Sequence, residues 1–367
     1  MYTYKLEKMF PDRKENGQMD RMGPMPLFLK PTDRNLTRGS FPNGNSEIKI
    51  FHMSDIHYDG KSTEIFESVL GHLLDEGPHY VVITGDIVEG PTEDLSVPVT
   101  MIRNVLRDVK RFFGHAPRLR VVPGNHDLFY NGMYGFRRTG KFYELFTEEE
   151  RGHHFSPDDL ITVAAFDSNQ ILEPRGGFLR KMSQFLRIMS HGLIIERDLD
   201  EFSDWARGLK RSIYGSEYRD SFKIALLHHH PMPAKYNFLP RMADEAYMML
   251  ENAGVFLYRL IQEDFSLILH GHRHYPQFCR ATYYDQNGVE KEIGVLGCGS
   301  SGKKADEWIR IVGHNFNVIT VRGDGSVSAV QYFKRGTSDF LPGLREIEIK
   351  KQDNIRGGGT ERRQGAF

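Results

Sequence analysis

The chain of 367 residues has little cysteine: only Cys279 and Cys298. Two thiols make no disulfide framework, and without a CxxC pair there is no closed thiolate zinc site or redox couple. A reducing compartment fits, and a cytoplasmic location is expected. Long apolar runs are also missing. None approaches the roughly 18 residues a membrane helix needs, and mean hydropathy is −0.48. The opening MYTYKLEKMFPDRK lacks the apolar stretch of a secretory signal, so no membrane association is expected. Net charge is nearly absent: 48 Lys and Arg against 49 Asp and Glu leave −1. The whole-body basic field of a dedicated nucleic-acid binder is therefore lacking, which leaves nucleic acid an open and unsupported partner. No internal repeat is found. Apolar residues are plentiful, at 39%, which excludes global disorder. Histidine is plentiful too, at 16 residues, and its placement carries the information.

Residues 1–46 hold Pro11, Pro24, Pro26, Pro31 and Pro42 with neither a strand nor a helix period, and read as an irregular extension. Residues 336–367 read as a mobile tail. Its Arg356-Gly357-Gly358 is a single RGG-like copy, more often a solvated end than an RNA contact. Between them, residues 47–335 form the domain. Strand-like runs fall at Ile48 to Met53, Tyr80 to Thr84, Leu119 to Val122, Ile161 to Phe166, Phe222 to Leu227 and Ser266 to Leu269. Helical stripes fall between several of them. One is capped by Ser62, carries Ile65, Phe66, Val69, Leu70, Leu73 and Leu74, and stops at Gly77-Pro78. Another spans Val99 to Phe113, another surrounds Trp205, and another runs from about Ala243 to Gln262. After residue 280 only strands with tight turns remain. Alternating βαβ units followed by a β-rich half predict an α/β fold.

Five of the apolar runs end alike, in Ser54-Asp55-Ile56-His57, Thr84-Gly85-Asp86, Pro123-Gly124-Asn125-His126-Asp127, His228-His229-His230-Pro231 and His270-Gly271-His272-Arg273-His274. Ligands of α/β sheets bind outside the carboxyl ends of strands, so five such ends converge on one site. Residues two apart in extended backbone point the same way. That spacing would let Asp55 and His57 grip one ion, and His272 and His274 point into the same site. Gly85, Gly124 and Gly271 allow the sharp turn and close backbone approach. Imidazole, carboxylate and carboxamide donors suit Mn, Fe, Zn or Co better than Ca. Seven donors exceed one ion and suit two sharing a bridging carboxylate. Each motif alone has a bland reading: Asp-x-His as surface residues, Gly-Asp as a turn, Gly-Asn-His-Asp as a capped turn, the triple histidine as a loop. In this order, each at a strand end, coincidence is a poor account.

The set D-x-H, G-D, G-N-H-D, H and G-H-x-H resembles the calcineurin-like metallophosphoesterases over about Glu47 to Phe333. Leu226 to Pro233 and Ala165-Phe166-Asp167-Ser168 resemble their bacterial cyclic-nucleotide phosphodiesterase branch. The resemblance implies a four-layer α/β/β/α sandwich. It implies a first metal on Asp55, His57 and His274, a second on Asn125, His228 and His272, and Asp86 bridging both. His229 is the alternative to His228. It also implies that His126 faces the phosphate without joining the metal shell, where it would offset charge and protonate the leaving oxygen, with Asp127 orienting its ring. The reaction implied is attack on phosphorus by a hydroxide held between two divalent transition-metal ions.

The expected partner is a phosphorylated small molecule, attacked as a diester or a monoester; oligomeric state is left open. A nuclease or phosphoprotein phosphatase of the same fold is the alternative. A non-catalytic scaffold, like the retromer subunit of this fold, would have lost ligands, and none is lost. Asn169 to Ser190 carries Arg175, Arg180, Lys181 and Arg187 among apolar residues, either as a cationic lid or as a solvated insertion. Phe129, Tyr130 and Tyr134 are candidates either to stack a base or to fill a loop core. His153 and His154 read as loop, and His52, His72, His79, His115, His191 and His314 belong to no motif.

Overall fold

The apolar runs become strands because each is short, rich in β-branched residues and punctuated by Gly, Pro or Asp. In chain order they are β1 (Glu47–Met53), β2 (Tyr80–Ile83), β3 (Arg118–Val121), β4 (Phe129–Gly132), β5 (Gly135–Arg138), β6 (His154–Ser156), β7 (Ile161–Ala165), β8 (Phe222–Leu226), β9 (Leu267–His270), β10 (Gln277–Tyr284), β11 (Glu290–Gly297), β12 (His314–Arg322), β13 (Val327–Lys334), β14 (Leu341–Pro342) and β15 (Ile347–Ile349). The helices that matter are α1 (Glu64–Glu76), α2 (Ser96–Phe113), α3 (Asn125–Leu128), α4 (Glu196–Arg211) and α5 (Ala253–Gln262). This computed structural model describes residues 47–351 except 62, 91–92, 133–134, 139, 171–190, 234–248, 285–287, 304–308, 310–311, 337–338 and 344–345, and except the side chains of 129–139. The N-terminal extension, the RGG-like end, the four cations of the 169–190 stretch, Ser62 and the three candidate base-stacking rings lie outside the described residues and side chains.

One sheet runs β14-β13-β12-β1-β2-β3, with β15 also on β13; the other runs β10-β11-β9-β8-β7-β6. β1, β2 and β3 are parallel, as are β7, β8, β9 and β11. Parallel neighbours need crossovers, and α1 and α2 supply two of them. The β-rich half adds antiparallel strands to both sheets, β12 on β1 and β10 on β11.

Period-2 alternation sets which face each strand buries. Ile48, Ile50, Val82, Ile319 and Val321 of the first sheet meet Val163, Ile224, Leu226, Leu267 and Leu269 of the second in one buried layer. Each such side chain stabilises by roughly 1.5–3 kcal/mol. The far face of the second sheet, with Ala164, Ala225 and Ile268, packs on Leu199 and Phe202 of α4 and Phe256 and Leu260 of α5. On the far face of the first, Phe51 stacks on Phe316 at 4.7 Å and His72 of α1 lies 5.4 Å from the same ring. The architecture is thus a four-layer α/β/β/α sandwich.

Local differences have local causes. Helix α1 starts at Thr63, whose side chain makes no capping bond, and ends at Gly77 with φ 52°. His154 is not loop but part of β6, paired with Val163 as an edge strand too short to show a period. The sheet also continues past the expected boundary at residue 335: Leu341 and Pro342 pair with β13, and so do Ile347 to Ile349. Glycines and prolines around these short strands hide them in the sequence.

Candidate metal centre

The loops that follow β1 and β2 keep the parallel pairing of their strands. Asp55 N–H donates to Gly85 O at 3.0 Å, His57 N–H to Asp86 O at 2.9 Å and Tyr58 N–H to Ile87 O at 2.9 Å. That register sets Asp55 and His57 beside Asp86. The spacing argument from extended backbone does not hold here, although its outcome does. β1 ends at Met53, and Asp55 (φ 51°), His57 (φ 47°) and Asp86 (φ 52°) all take left-handed backbone, as do His272 (φ 73°) and His274 (φ 51°). These are five of the seven non-glycine residues of positive φ among the described residues. Such conformations are costly for side chains that carry a Cβ, and they gather where a site over-determines them.

Two glycines allow the loops to close on one another. A Cβ on Gly124 would lie 2.0 Å from Asp86 Oδ1, and one on Gly271 would lie 1.8 Å from Ser54 Oγ and 2.5 Å from Asp55 Oδ2. Through the second contact, the His272 N–H donates to both Asp55 oxygens at 3.1 and 3.0 Å.

Two ligand clusters result, sharing Asp86. In the first, His57 Nε2 lies 2.9 Å from His274 Nε2 and 4.0 Å from Asp55 Oδ1, and His274 Nε2 lies 3.4 Å from the same oxygen. In the second, His228 Nε2 lies 3.1 Å from both Asn125 Oδ1 and His272 Nδ1. Asp86 Oδ2 faces both clusters, 3.6 Å from His57 Nε2 and 3.3 Å from His228 Nε2. Its Oδ1 is turned away to accept the His126 N–H at 2.9 Å.

These spacings suit a metal. Ligand atoms about 2.0–2.2 Å from one ion sit about 3 Å apart at right angles, and two imidazole nitrogens meet at 2.9 Å only with a proton or an ion between them. Electrostatics agree. Burial alone would lower the pKa of His228, but the Asp86 carboxylate and its hydrogen bond outweigh burial and lift it to about 9. Burial likewise opposes charge on Asp86, yet His228, His126 and His57 hold its carboxyl well below the usual range. Each member of the pair thus favours charge on the other, the electrostatic setting a cation would share.

The ring atoms facing away from the ligand atoms are held by the protein. His228 Nδ1–H donates to Thr84 O at 2.7 Å, which leaves Nε2 as the donor atom for a metal. His57 Nδ1 meets Glu89 Oε2 at 2.9 Å. His126 Nδ1–H donates to Glu89 O at 2.6 Å, so its Nε2 is the working nitrogen. The His126 ring stands edge-on to His57 at 4.8 Å, and its ligand atom falls in one group with those of His57 and Asp86.

Asp127 differs from the expectation. It does not orient His126. Its Oδ1 accepts from Ile87 N–H at 2.8 Å and Val88 N–H at 3.3 Å, and its Oδ2 from Gly124 N–H at 2.9 Å. It staples the loops after β2 and β3 and is fully buried. Burial and the Asp86 charge push its pKa up to about 7. Both oxygens are turned to backbone donors inside the turn, and the His126 Nδ1–H is already taken by Glu89 O.

Among the three consecutive histidines, His228 reaches Asp86 and Asn125. Ser168 Oγ accepts the N–H of His228 (3.3 Å) and of His229 (3.2 Å) and donates to His229 Nδ1 at 2.9 Å. Among the described residues His229 Nε2 has no hydrogen-bond partner.

Sequence reasoning missed Glu89. Its only signal is its place three residues after Asp86, where it can reach back over the loop. It also missed Thr84 O, since a carbonyl leaves no mark in a sequence. His270 ends β9, as expected.

The site and fold can be compared with known proteins. No curated protein sequence matches. Among solved structures, a dimetal phosphatase from Danio rerio is 12% identical, with 83% of this chain and 99% of that one covered at a TM-score of 0.48. Zn-complexed wild-type Vps29 from Entamoeba histolytica is 13% identical over 82% and 99%, at 0.36. A predicted phosphoesterase from Streptococcus pneumoniae is 15% identical over 83% and 98%, at 0.33. The sequence model of the calcineurin-like phosphoesterases matches residues 48–276, the stretch that holds every loop of the two clusters. On that match the chain belongs to the calcineurin-like phosphoesterases, and it is a metal-dependent hydrolase of phosphoester bonds.

Proposed function

We propose that Asp55, His57 and His274 hold one divalent transition-metal ion, that Asn125, His228 and His272 hold a second, and that Asp86 bridges them. Mn, Fe, Zn or Co would suit these donors. The substrate is a phosphorylated small molecule. The observation that carries the reading is Asp86 Oδ2, a single oxygen within 3.6 Å of a nitrogen in each cluster. Bound ions would supply charge to the phosphoryl oxygens and acidify water.

The chain's own residues do the rest. His228 is presented through Nε2 by Thr84 O, and His57 through Nε2 by the Glu89 carboxylate. His126 keeps Nδ1–H on the Glu89 carbonyl and so offers Nε2 to the ester. Protonated there, it donates to the leaving oxygen; it also offsets charge on the phosphoryl group. Asp127 fixes the turn that carries Asn125 and His126.

A cyclic-nucleotide diesterase is the finer reading. It is supported by Ser168, whose hydroxyl ties its own Asp-Ser strand end to His228 and His229, joining the two sequence features that resemble that branch. A cytoplasmic setting is supported by two thiols that remain free, Cys279 and Cys298.

Elemental analysis of the purified protein is expected to approach two transition ions per chain. With Mn²⁺ added, the protein should hydrolyse bis-p-nitrophenyl phosphate, p-nitrophenyl phosphate or both, and the ratio assigns diesterase or monoesterase. A preparation that takes up no ion under Mn²⁺ or Fe²⁺ supplementation would sink the proposal.

A further inference from the structure

The loop that leaves β11, Cys298-Gly299-Ser300-Ser301-Gly302-Lys303, supplies no metal ligand, yet it is fastened to the loop that carries Asp55. Ser301 N–H donates to Ser54 O at 2.9 Å, and Ser54 N–H donates to Ser301 Oγ at 3.2 Å. Ser300 Oγ donates to Asp55 O at 2.8 Å and accepts the Lys303 N–H at 2.9 Å. Gly302 lies so close to Ile56 that a Cβ there would meet its carbonyl oxygen at 2.6 Å. On the other side, His314 Nε2–H donates to Lys303 O at 2.9 Å. The main chain of Lys303 is therefore pinned at both its N–H and its C=O, one bridging hydroxyl away from Asp55.

Among the described residues, which leave out 304–308, the Lys303 ammonium has no hydrogen-bond or ion-pair partner. A half-buried lysine residue, on a backbone fixed beside a centre that acts on anions, is placed to take a phosphate oxygen.

We propose that Lys303 is a substrate-binding residue whose ammonium takes an anionic phosphoryl oxygen of the ester beside the Asp55–His57–His274 cluster. This rests on the phosphoesterase reading above. The oxygen is either the one shared by monoesters and diesters or the second charged oxygen that only a monoester has.

The test uses the metal-loaded full chain as wild type, Lys303→Met and Lys303→Arg, with p-nitrophenyl phosphate and bis-p-nitrophenyl phosphate as substrates and metal content measured on every sample. Losing one charge-assisted hydrogen bond at a partly exposed site is expected to raise KM roughly tenfold in Lys303→Met. Here kcat should stay within about twofold, two ions should be retained, and Lys303→Arg should recover most of the loss. A rise for the monoester alone assigns the second charged oxygen; a rise for both esters assigns the shared one. Unchanged KM for both esters overturns the proposal. So does a KM change that comes with metal loss, because Lys303 would then act only through Glu89 and His57. A metal-loaded wild type that cleaves neither ester defeats the phosphoesterase reading itself, a result distinct from either.

Discussion

The two halves of the metal centre are built differently. The half around His228, His272 and Asn125 is sunk in the sandwich, and its key ring is fixed by a neutral main-chain acceptor, Thr84 O. The half around Asp55, His57 and His274, the rim half, buries Asp55 and His57 just as deeply but leaves His274 partly exposed and draws on an exposed support. There His57 is held by a carboxylate whose side chain is 47% exposed. A backbone carbonyl inside a sheet cannot move or change charge. An exposed glutamate can do both, and it is screened by salt. The deep half is therefore a fixed seat, and the rim half is the one whose support can adjust and meets solvent.

Among the described residues Asp86 is the carboxylate shared by both ligand clusters, so its loss should have the largest effect. Asp86→Ala is expected to empty both halves and to lower kcat by roughly 10³-fold or more, the several kcal/mol that metal ions supply to a transition state. Asp55→Ala should weaken mainly the rim half. Normal metal content and rate in Asp86→Ala would remove the bridge and with it the comparison.

His126 comes next. His126→Ala should keep two ions while kcat falls about 10²–10⁴-fold. The loss should shrink for good leaving groups such as p-nitrophenolate. Equal losses for good and poor leaving groups would leave only charge stabilisation, and loss of metal would make His126 a third rim ligand.

Glu89→Ala tests the difference between the halves directly. Partners that hold metal-bound histidines are typically worth about 10–100-fold in metal affinity. One ion per chain should thus become weakly held and the other stay tight, as resolved by stepwise chelator titration. If both ions loosen together, the halves are not independent.

The smallest effect serves as a control far from both halves. His153 is packed among Phe166, Phe202 and Trp205, and burial lowers its pKa from 6.5 to about 4. Between those values the unfolded chain binds the proton and the folded one does not. This contribution is therefore present above pH 6.5 and is lost as pH falls toward 4, by on the order of 1–3 kcal/mol. Denaturant unfolding of the metal-free chain across that window should show the loss, and His153→Phe should reduce it, since burial also lowers His79 and His154 to about 4. An unreduced loss would move the acid sensitivity elsewhere, for instance into the centre.

Much of this was legible because strands write themselves as apolar runs. Tyr80 to Ile83 and Phe222 to Leu226 are buried throughout, and the carboxyl end of each carries its ligand. The seven clustered residues could be found because a metal needs donors of particular types, and those types are rare after apolar runs. The groups that hold them could not. Thr84 O and Glu89 O are carbonyls, present at every residue. Asp127 looked like the partner of His126 because it is adjacent in sequence, but a tight turn sends neighbouring side chains in opposite directions. The short strands β6, β14 and β15 are recruited by neighbours already in place rather than by their own pattern.

The left-handed ligands have a consequence for how such a chain changes under selection. Each of Asp55, His57, Asp86, His272 and His274 holds a backbone conformation that glycine adopts freely and that costs other residues roughly 1–2 kcal/mol. At any of these positions, glycine should leave the metal-free protein about 1 kcal/mol more stable than alanine does. Stability and function thus pull against each other at the same five residues, and a search for thermostable variants scored only on folding would begin by dismantling the metal centre.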